Sequence, residues 1–259
     1  MLKVRVVKIG GNELDRPEWV ARCARALRAA GGSLVVVHGG GQAVSAWSRR
    51  LGLPVEQRDG LRVTPPDVAQ VVEMVLAGPM NRLLVSALRT AGLDAIGLSG
   101  VDGGLLAARP LAPSLGHVGA VTEVRASLLH SLLLAGLTPV IAPIAPAEAA
   151  DGPATPLNVN ADAAAAAVAA ALGAQELLFI SDVAGVGIDG VPQAAIPTAE
   201  VEALVELGTV SGGMAAKLRA AAQAVQAGVR AVRIGDLDML ESVTAGTRLL
   251  ATPPAPQPA

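Results

Sequence analysis

The 259-residue chain has one cysteine, no tyrosine, one phenylalanine and two tryptophans. A lone cysteine, Cys23, excludes a disulfide framework and a cysteine-built zinc site. Its place in a helical pattern reads as a small buried apolar side chain. Aromatics at 1% remove the stacking platforms that single-stranded nucleic acids use, and a net charge of −2 offers no basic stripe to a duplex. The three histidines, His38, His117 and His130, stand far apart without metal-ligand spacing. They read as ordinary residues at loop or helix edges, so no protein-borne metal is expected. No uninterrupted apolar run reaches the ~18 residues of a membrane helix. The start, "MLKVRVVKIGG", lacks the charged, apolar and cleavage regions of a signal peptide. The expectation is a cytoplasmic protein with no nucleic-acid or membrane partner.

Lysine is also scarce. Of 20 basic residues only Lys3, Lys8 and Lys217 are lysines, which leaves 17 arginines. Hydrophobic residues at 52% and charged residues at 16% fit a globular chain with a sizeable core. Apolar strand-like runs ("VRVVKIG", "LVVVHGGG", "AIGLSG", "TPVIAPI", "ELLFIS", "AVRIGD", "TRLLA") alternate with helical patterns. That alternation predicts an α/β fold, a three-layer αβα sandwich around a mainly parallel open sheet. Pro17 and Gly31 bracket the first helix. Pro79 is expected to kink or break the long pattern from Pro66 to Gly92. "GLLAARP" and "GHVGAVTEV" read as short hairpin strands, and the tail "TPPAPQPA" as disordered.

In open parallel sheets ligands bind at the carboxyl ends of the strands. "KIGG", "HGGG", "LSG" and "SDVAG" all follow strands. Glycines there let the backbone approach a ligand, and a following helix offers free N–H groups to an anion. Tight-turn packing explains one such loop as well. Two at neighbouring strand ends favour an oxyanion or phosphate cradle. There is no P-loop motif, and "GVGIDG" (Gly185–Gly190) matches G-x-G-x-x-G without opening a helix, so the match is accidental. Lysine is a compact point charge and arginine a planar fork. In a chain that otherwise uses arginine, Lys8 at a glycine-flanked strand end and Lys217 in a helix opened by "SGGM" are candidates for contact with a phosphoryl group, against surface lysine as the ordinary alternative. In "NVNAD", Asn160 suits an N-cap and Asp162 the first helical turn; Asn158 is free to bind a carboxylate or amide. Arg62, in "DGLRVTPPD", has the fork for a carboxylate but reads equally as a solvated surface residue.

Together "KIGG", "VVHGGG", "DGLRVT", "LGHVG", "GLTPVIAPI", "NVNAD", "SDVAGV" and "GTVSGGMAAK" resemble the amino-acid kinase family, in its motif order and over nearly the whole chain. "GLRVT", "NVNAD" and "SGGM" are similar to its branch acting on N-acetyl-L-glutamate. The resemblance implies one domain over residues 1–250, with a substrate lobe to about 170, an ATP lobe beyond it, and a tail over 251–259. It implies transfer of the γ-phosphoryl group of ATP to the side-chain carboxylate of N-acetyl-L-glutamate in arginine biosynthesis, with Mg2+ carried on the ATP phosphates. Lys8 and Lys217 would stabilise the moving phosphoryl group and Asp162 would orient both ammonium groups. Gly11, Gly40 and Gly41 would donate backbone N–H groups to phosphates and substrate, and Arg62 and Asn158 would hold the substrate's carboxylate end. Ser181, Asp182, Val183, Gly185, Val186, Ser211, Gly212 and Gly213 would line the nucleotide. The short start, with Lys8 as the eighth residue, resembles the arginine-insensitive, homodimeric type. The alternatives are a related kinase of a carrier-linked aminoadipate, and a non-catalytic amino-acid sensor on the same fold. Neither a basic cluster for an acidic carrier nor loss of Lys8, Asp162 or Lys217 is present to favour them.

Overall fold

The computed structural model describes residues 2–11, 13–148 and 156–252. Along the chain run β1 (Val4–Ile9), α1 (Pro17–Ala30), β2 (Ser33–His38), α2 (Gly41–Arg50), β3 (Gln57–Arg58), β4 (Leu61–Arg62), α3 (Pro66–Val75), α4 (Asn81–Thr90), β5 (Ala95–Ser99), β6 (Leu106–Pro110), β7 (Val118–Val124) and α5 (Ala126–Leu134). They are followed by β8 (Thr138–Ala142), β9 (Ile144–Ala145), β10 (Leu157–Val159), α6 (Ala161–Ala171), β11 (Glu176–Ile180), β12 (Gly187–Ile188), β13 (Val191–Pro192), β14 (Ala195–Pro197), α7 (Val201–Glu206), α8 (Gly212–Gln226), β15 (Val232–Gly235) and β16 (Thr247–Leu250).

The expected parallel sheet has eight strands in the order β14-β16-β15-β11-β1-β2-β8-β5. Its pairings are parallel except β15 with β16. Its strands β1, β2, β8, β11 and β15 are buried on both faces, which is why they read as continuous apolar runs, whereas β16 alternates buried and exposed residues. Val7 and Ile9 face a core shared with α1, α3 and α4, while Val4 and Val6 face a core shared with α5, α6 and α8. This is the αβα sandwich. β6 and β7 pair as a hairpin, joined by β10 and β9 into a smaller sheet.

Pro79 interrupts the long helical run as expected. Leu76–Met80 forms a π turn with a non-helical Gly78 between α3 and α4, because proline lacks the N–H that the ladder needs. The whole stretch 66–90 is long and apolar enough to cross a membrane by length and composition, yet half of its most apolar window is buried inside the fold. "GVGIDG" runs through the β12–β13 hairpin and opens no helix. Cys23 is buried in α1. The tail beyond Thr252 and most of "EAADGPAT" lie outside the described residues.

Candidate active site

Strand alternation places Lys8 on the same sheet face as Val4 and Val6. That face is covered by α6 and α8, whose early turns reach the carboxyl end of β1. α6 starts where Asn160 caps it, its Oδ1 accepting from the amides of Asp162 and Ala163. Nine of its 11 residues are alanine, so the helix can lie close to the sheet and to α8. Asp162 is thereby delivered to Lys8 (2.8 Å) and Lys217 (3.7 Å), both approaching the same oxygen, Oδ1. All three side chains are at most 10% exposed.

Burial pushes the Asp162 carboxyl up, but the charges of Lys8 and then Lys217 outweigh it and hold the group below the usual carboxylate range. Lys217 is lowered to about 8, first by burial and then by Lys8, with Asp162 and Glu13 opposing the shift. Glu13 escaped the sequence reading. It is buried, its carboxylate lies against Gly10, and Oε2 has no partner among the described residues. A single Glu in a loop shows no periodicity that could signal burial.

The triad borders a cavity of about 200 Å³ lined by Lys8, Gly11, Gly39, Gly40, Gly41, Arg62, Asn158 and Asp162, among others. The two glycine loops touch there. A Cβ on Gly11 would stand 2.5 Å from the Gly40 nitrogen, closer than any side chain permits. The far wall is built on Thr64. Its hydroxyl donates to the Arg62 carbonyl (2.8 Å) and accepts from Asn158 Nδ2 (3.2 Å). Its backbone bonds Leu115 and His117, where a positive-φ Gly116 leaves no room for a side chain. Thus "GLRVT", "LGHVG" and "NVNAD" form one wall through Thr64, a buried residue that the sequence reading did not single out. Arg62 donates through Nη2 to the Gly41 carbonyl (2.8 Å) and Ser45 Oγ (2.7 Å), while Nη1 is buried and has no partner among the described residues. Burial, then Arg49, lowers its pKa, but a guanidinium remains charged at neutral pH. One half of the fork is anchored and the other can take an anionic oxygen.

Of the sequence candidates, then, Lys8, Gly11, Gly40, Gly41, Arg62, Asn158, Asp162 and Lys217 converge. Lys217 joins them through Asp162 and, like the remaining eight, is not part of the cavity lining. Ser181, Asp182 and Val183 follow β11, with Asp182 and Val183 exposed. Ser211, Gly212 and Gly213 form the exposed start of α8, capped by no side chain. Gly185 and Val186 are buried; the Val186 side chain belongs to the core and its amide donates to Thr247 Oγ1 (2.7 Å). His38 stands at the loop edge expected of it, as the last residue of β2, and is fully buried.

Comparison with known proteins bears on the family and the fold. The Amino acid kinase family matches residues 3–236. The acetylglutamate kinase of Chloroflexus aurantiacus is 47% identical over 96% of this chain and 97% of its own. That of Methanopyrus kandleri is 46% identical over 92% of this chain and 96% of its own. A crystal structure from Streptococcus mutans superimposes with a TM-score of 0.82 at 30% identity, covering 96% of this chain and 99% of that one. The N-acetylglutamate synthase of Neisseria gonorrhoeae, solved with coenzyme A and N-acetyl-glutamate, shares the fold over 59% of its length, with a TM-score of 0.79 at 20% identity over 95% of this chain.

Proposed function

The chain belongs to the amino acid kinase family, and on that premise we propose that it phosphorylates the side-chain carboxylate of N-acetyl-L-glutamate with ATP, a step of arginine biosynthesis. The observation that carries this reading is the placement of two ammonium groups on one buried carboxylate oxygen beside a cavity whose other wall holds an unpaired half of the Arg62 fork.

Donor and acceptor are both anions, so the chemical task is to neutralise charge and to position. The acceptor carboxylate is ionised at neutral pH and needs no base. Its oxygen attacks the γ-phosphorus, the bond to the ADP oxygen breaks, and an acyl phosphate and ADP result. In this reading Lys8 and Lys217 hold the transferring oxygens, and Asp162 keeps the two lysines together without taking a proton. The amides of Gly11, Gly40 and Gly41 add N–H donors. Arg62 Nη1 and Asn158 orient the acceptor, and exclusion of water protects the acyl phosphate.

We place the nucleotide along the exposed start of α8 and the loop 181–185, which supplies glycines and uncapped amides next to Lys217. Residues to about 170 then act as the substrate lobe and the rest as the ATP lobe. Among the described residues no cluster of three His, Cys, Asp or Glu could cage a metal. This fits Mg2+ held through the ATP phosphates, where it supplies charge neutralisation. We extend the reading to a cytoplasmic location, where ATP is available. β5, an edge strand of the main sheet, lies beside α4, and exposed Met74 and Leu83 on α3 and α4 favour a homodimer, which sedimentation tests. We extend the reading to the arginine-insensitive type, for which added L-arginine leaves the rate unchanged. The central test is hydroxamate trapping with N-acetyl-L-glutamate and ATP. A hydroxamate is expected, and none from that substrate overturns the assignment.

A further inference from the structure

His38, the last residue of β2, is fully buried directly beneath the glycine loop. Its Nδ1 lies 2.9 Å from the Gly39 carbonyl and its Nε2 lies 3.1 Å from Asn81 Nδ2. A carbonyl only accepts and an amide nitrogen only donates. The ring is therefore neutral, with its proton on Nδ1. Burial, the largest cause, lowers its pKa to about 4, so this state persists at neutral pH.

Asn81 is held in turn. It opens α4 just after the π turn, and its Nδ2 also donates to the Val140 carbonyl (2.9 Å). Gly97 of β5 leaves the space its amide fills, since any side chain there would overlap Oδ1. Oδ1 itself is buried without a partner among the described residues. A buried, partly unsatisfied amide is costly, and a packing role alone would be met by an apolar residue.

A trans peptide is planar, and its C=O and N–H point in opposite directions. Fixing the Gly39 carbonyl against His38 therefore fixes the direction of the Gly40 N–H. That amide donates to no protein acceptor among the described residues, and Gly39, Gly40 and Gly41 line the cavity. We propose that His38, fixed in its Nδ1–H form by Asn81, is a positioning residue that presents the Gly40 N–H to the phosphoryl group during transfer. The proposal rests on the kinase reading above.

The chain has only three histidines, so long-range 1H–15N spectra of 15N-labelled protein can resolve each ring. In the free protein at neutral pH, His38 is expected with a proton on Nδ1 and a bare Nε2. A proton on Nε2, or a doubly protonated ring, overturns the proposal. This measurement needs no substrate, so it is independent of whether wild type yields hydroxamate from N-acetyl-L-glutamate; absence of hydroxamate would sink the kinase reading instead. In variants, His38→Asn puts an N–H donor at the position of Nδ1, whereas His38→Leu supplies none. Loss of one oriented donor should lower kcat of His38→Leu by on the order of 100-fold, with KM for the acceptor changed only a few-fold, and His38→Asn should recover most of the loss. A folded His38→Leu protein with wild-type kcat overturns the role. So does a folded His38→Asn protein as impaired as His38→Leu. If the leucine variant fails to fold, a folded but inactive asparagine variant, or the wrong tautomer in wild type, still overturns it.

Discussion

Asp162→Asn keeps the side chain's shape and removes one negative charge from between two positive ones. Lys8 and Lys217 approach the same oxygen at 2.8 and 3.7 Å, so their nitrogens are at most 6.5 Å apart, the two distances laid end to end. With an effective dielectric of ~20, two positive charges at that limit repel by roughly 2.5 kcal/mol, and the lost attraction between Lys217 and the carboxylate is roughly 4.5 kcal/mol. Lys217 already titrates at about 8. One pH unit corresponds to about 1.4 kcal/mol, so even half of the lost attraction carries that titration below neutrality. Lys217 is then mostly uncharged, and kcat/KM for ATP at neutral pH should fall on the order of 100-fold or more. The deficit should narrow as the assay is moved to more acidic pH, which restores the proton. The assay is hydroxamate trapping across a pH series, with circular dichroism to establish folding. Wild-type kcat/KM in Asp162→Asn, with its alkaline limb unmoved, would refute the reasoning.

In the wild type, kcat/KM for ATP, which reports the free enzyme, should decline above about pH 8 as Lys217 loses its proton. Of the groups facing it, Lys8 lowers that limb while Asp162 and Glu13 raise it, so Glu13→Gln should move it toward lower pH; an unchanged limb would remove Glu13 from the electrostatics. Arg62→Lys keeps the charge but loses the fork, so KM for the acceptor should rise about 10-fold or more with kcat less affected, and equal KM values would argue against Arg62 as the carboxylate holder. The unfolded chain binds a proton at His38 below its ordinary 6.5 whereas the fold resists it until about 4, so stability should be lost as pH falls through that window, by roughly 3 kcal/mol. Urea unfolding of His38→Asn should show a correspondingly flatter acid dependence, and parallel curves for both proteins would contradict this. Ala165 is fully buried in α6, and Ala165→Leu should cost about 1–3 kcal/mol by overpacking, read as a lower melting temperature together with lower kcat.

The layers were legible because each strand of a doubly covered sheet must be apolar on both faces and each helix on one. Pro79 and the helix caps marked boundaries by local stereochemistry alone. Lys8 and Lys217 stood out because lysine is rare in this chain and each stands near glycines or a helix start, whereas Asp162 was explained locally by its place in the first helical turn and was singled out only through the family resemblance. The burial of His38 was not legible because its partner, Asn81, is 43 positions away, and nothing local in "VVVHGGG" reveals that contact. Thr64 was hidden for the same reason, since its partner Asn158 is 94 positions away. The packing of Val186 was not legible, because a valine in a strand-end loop can face either outward or the core; its amide is held by Thr247, on β16.

The alanine helix has a thermal consequence. A methyl side chain has no rotamers, so ordering α6 costs backbone entropy but almost no side-chain entropy. Asp162 therefore stands on a platform with few side-chain degrees of freedom to lose on folding, and few to regain when the protein is warmed.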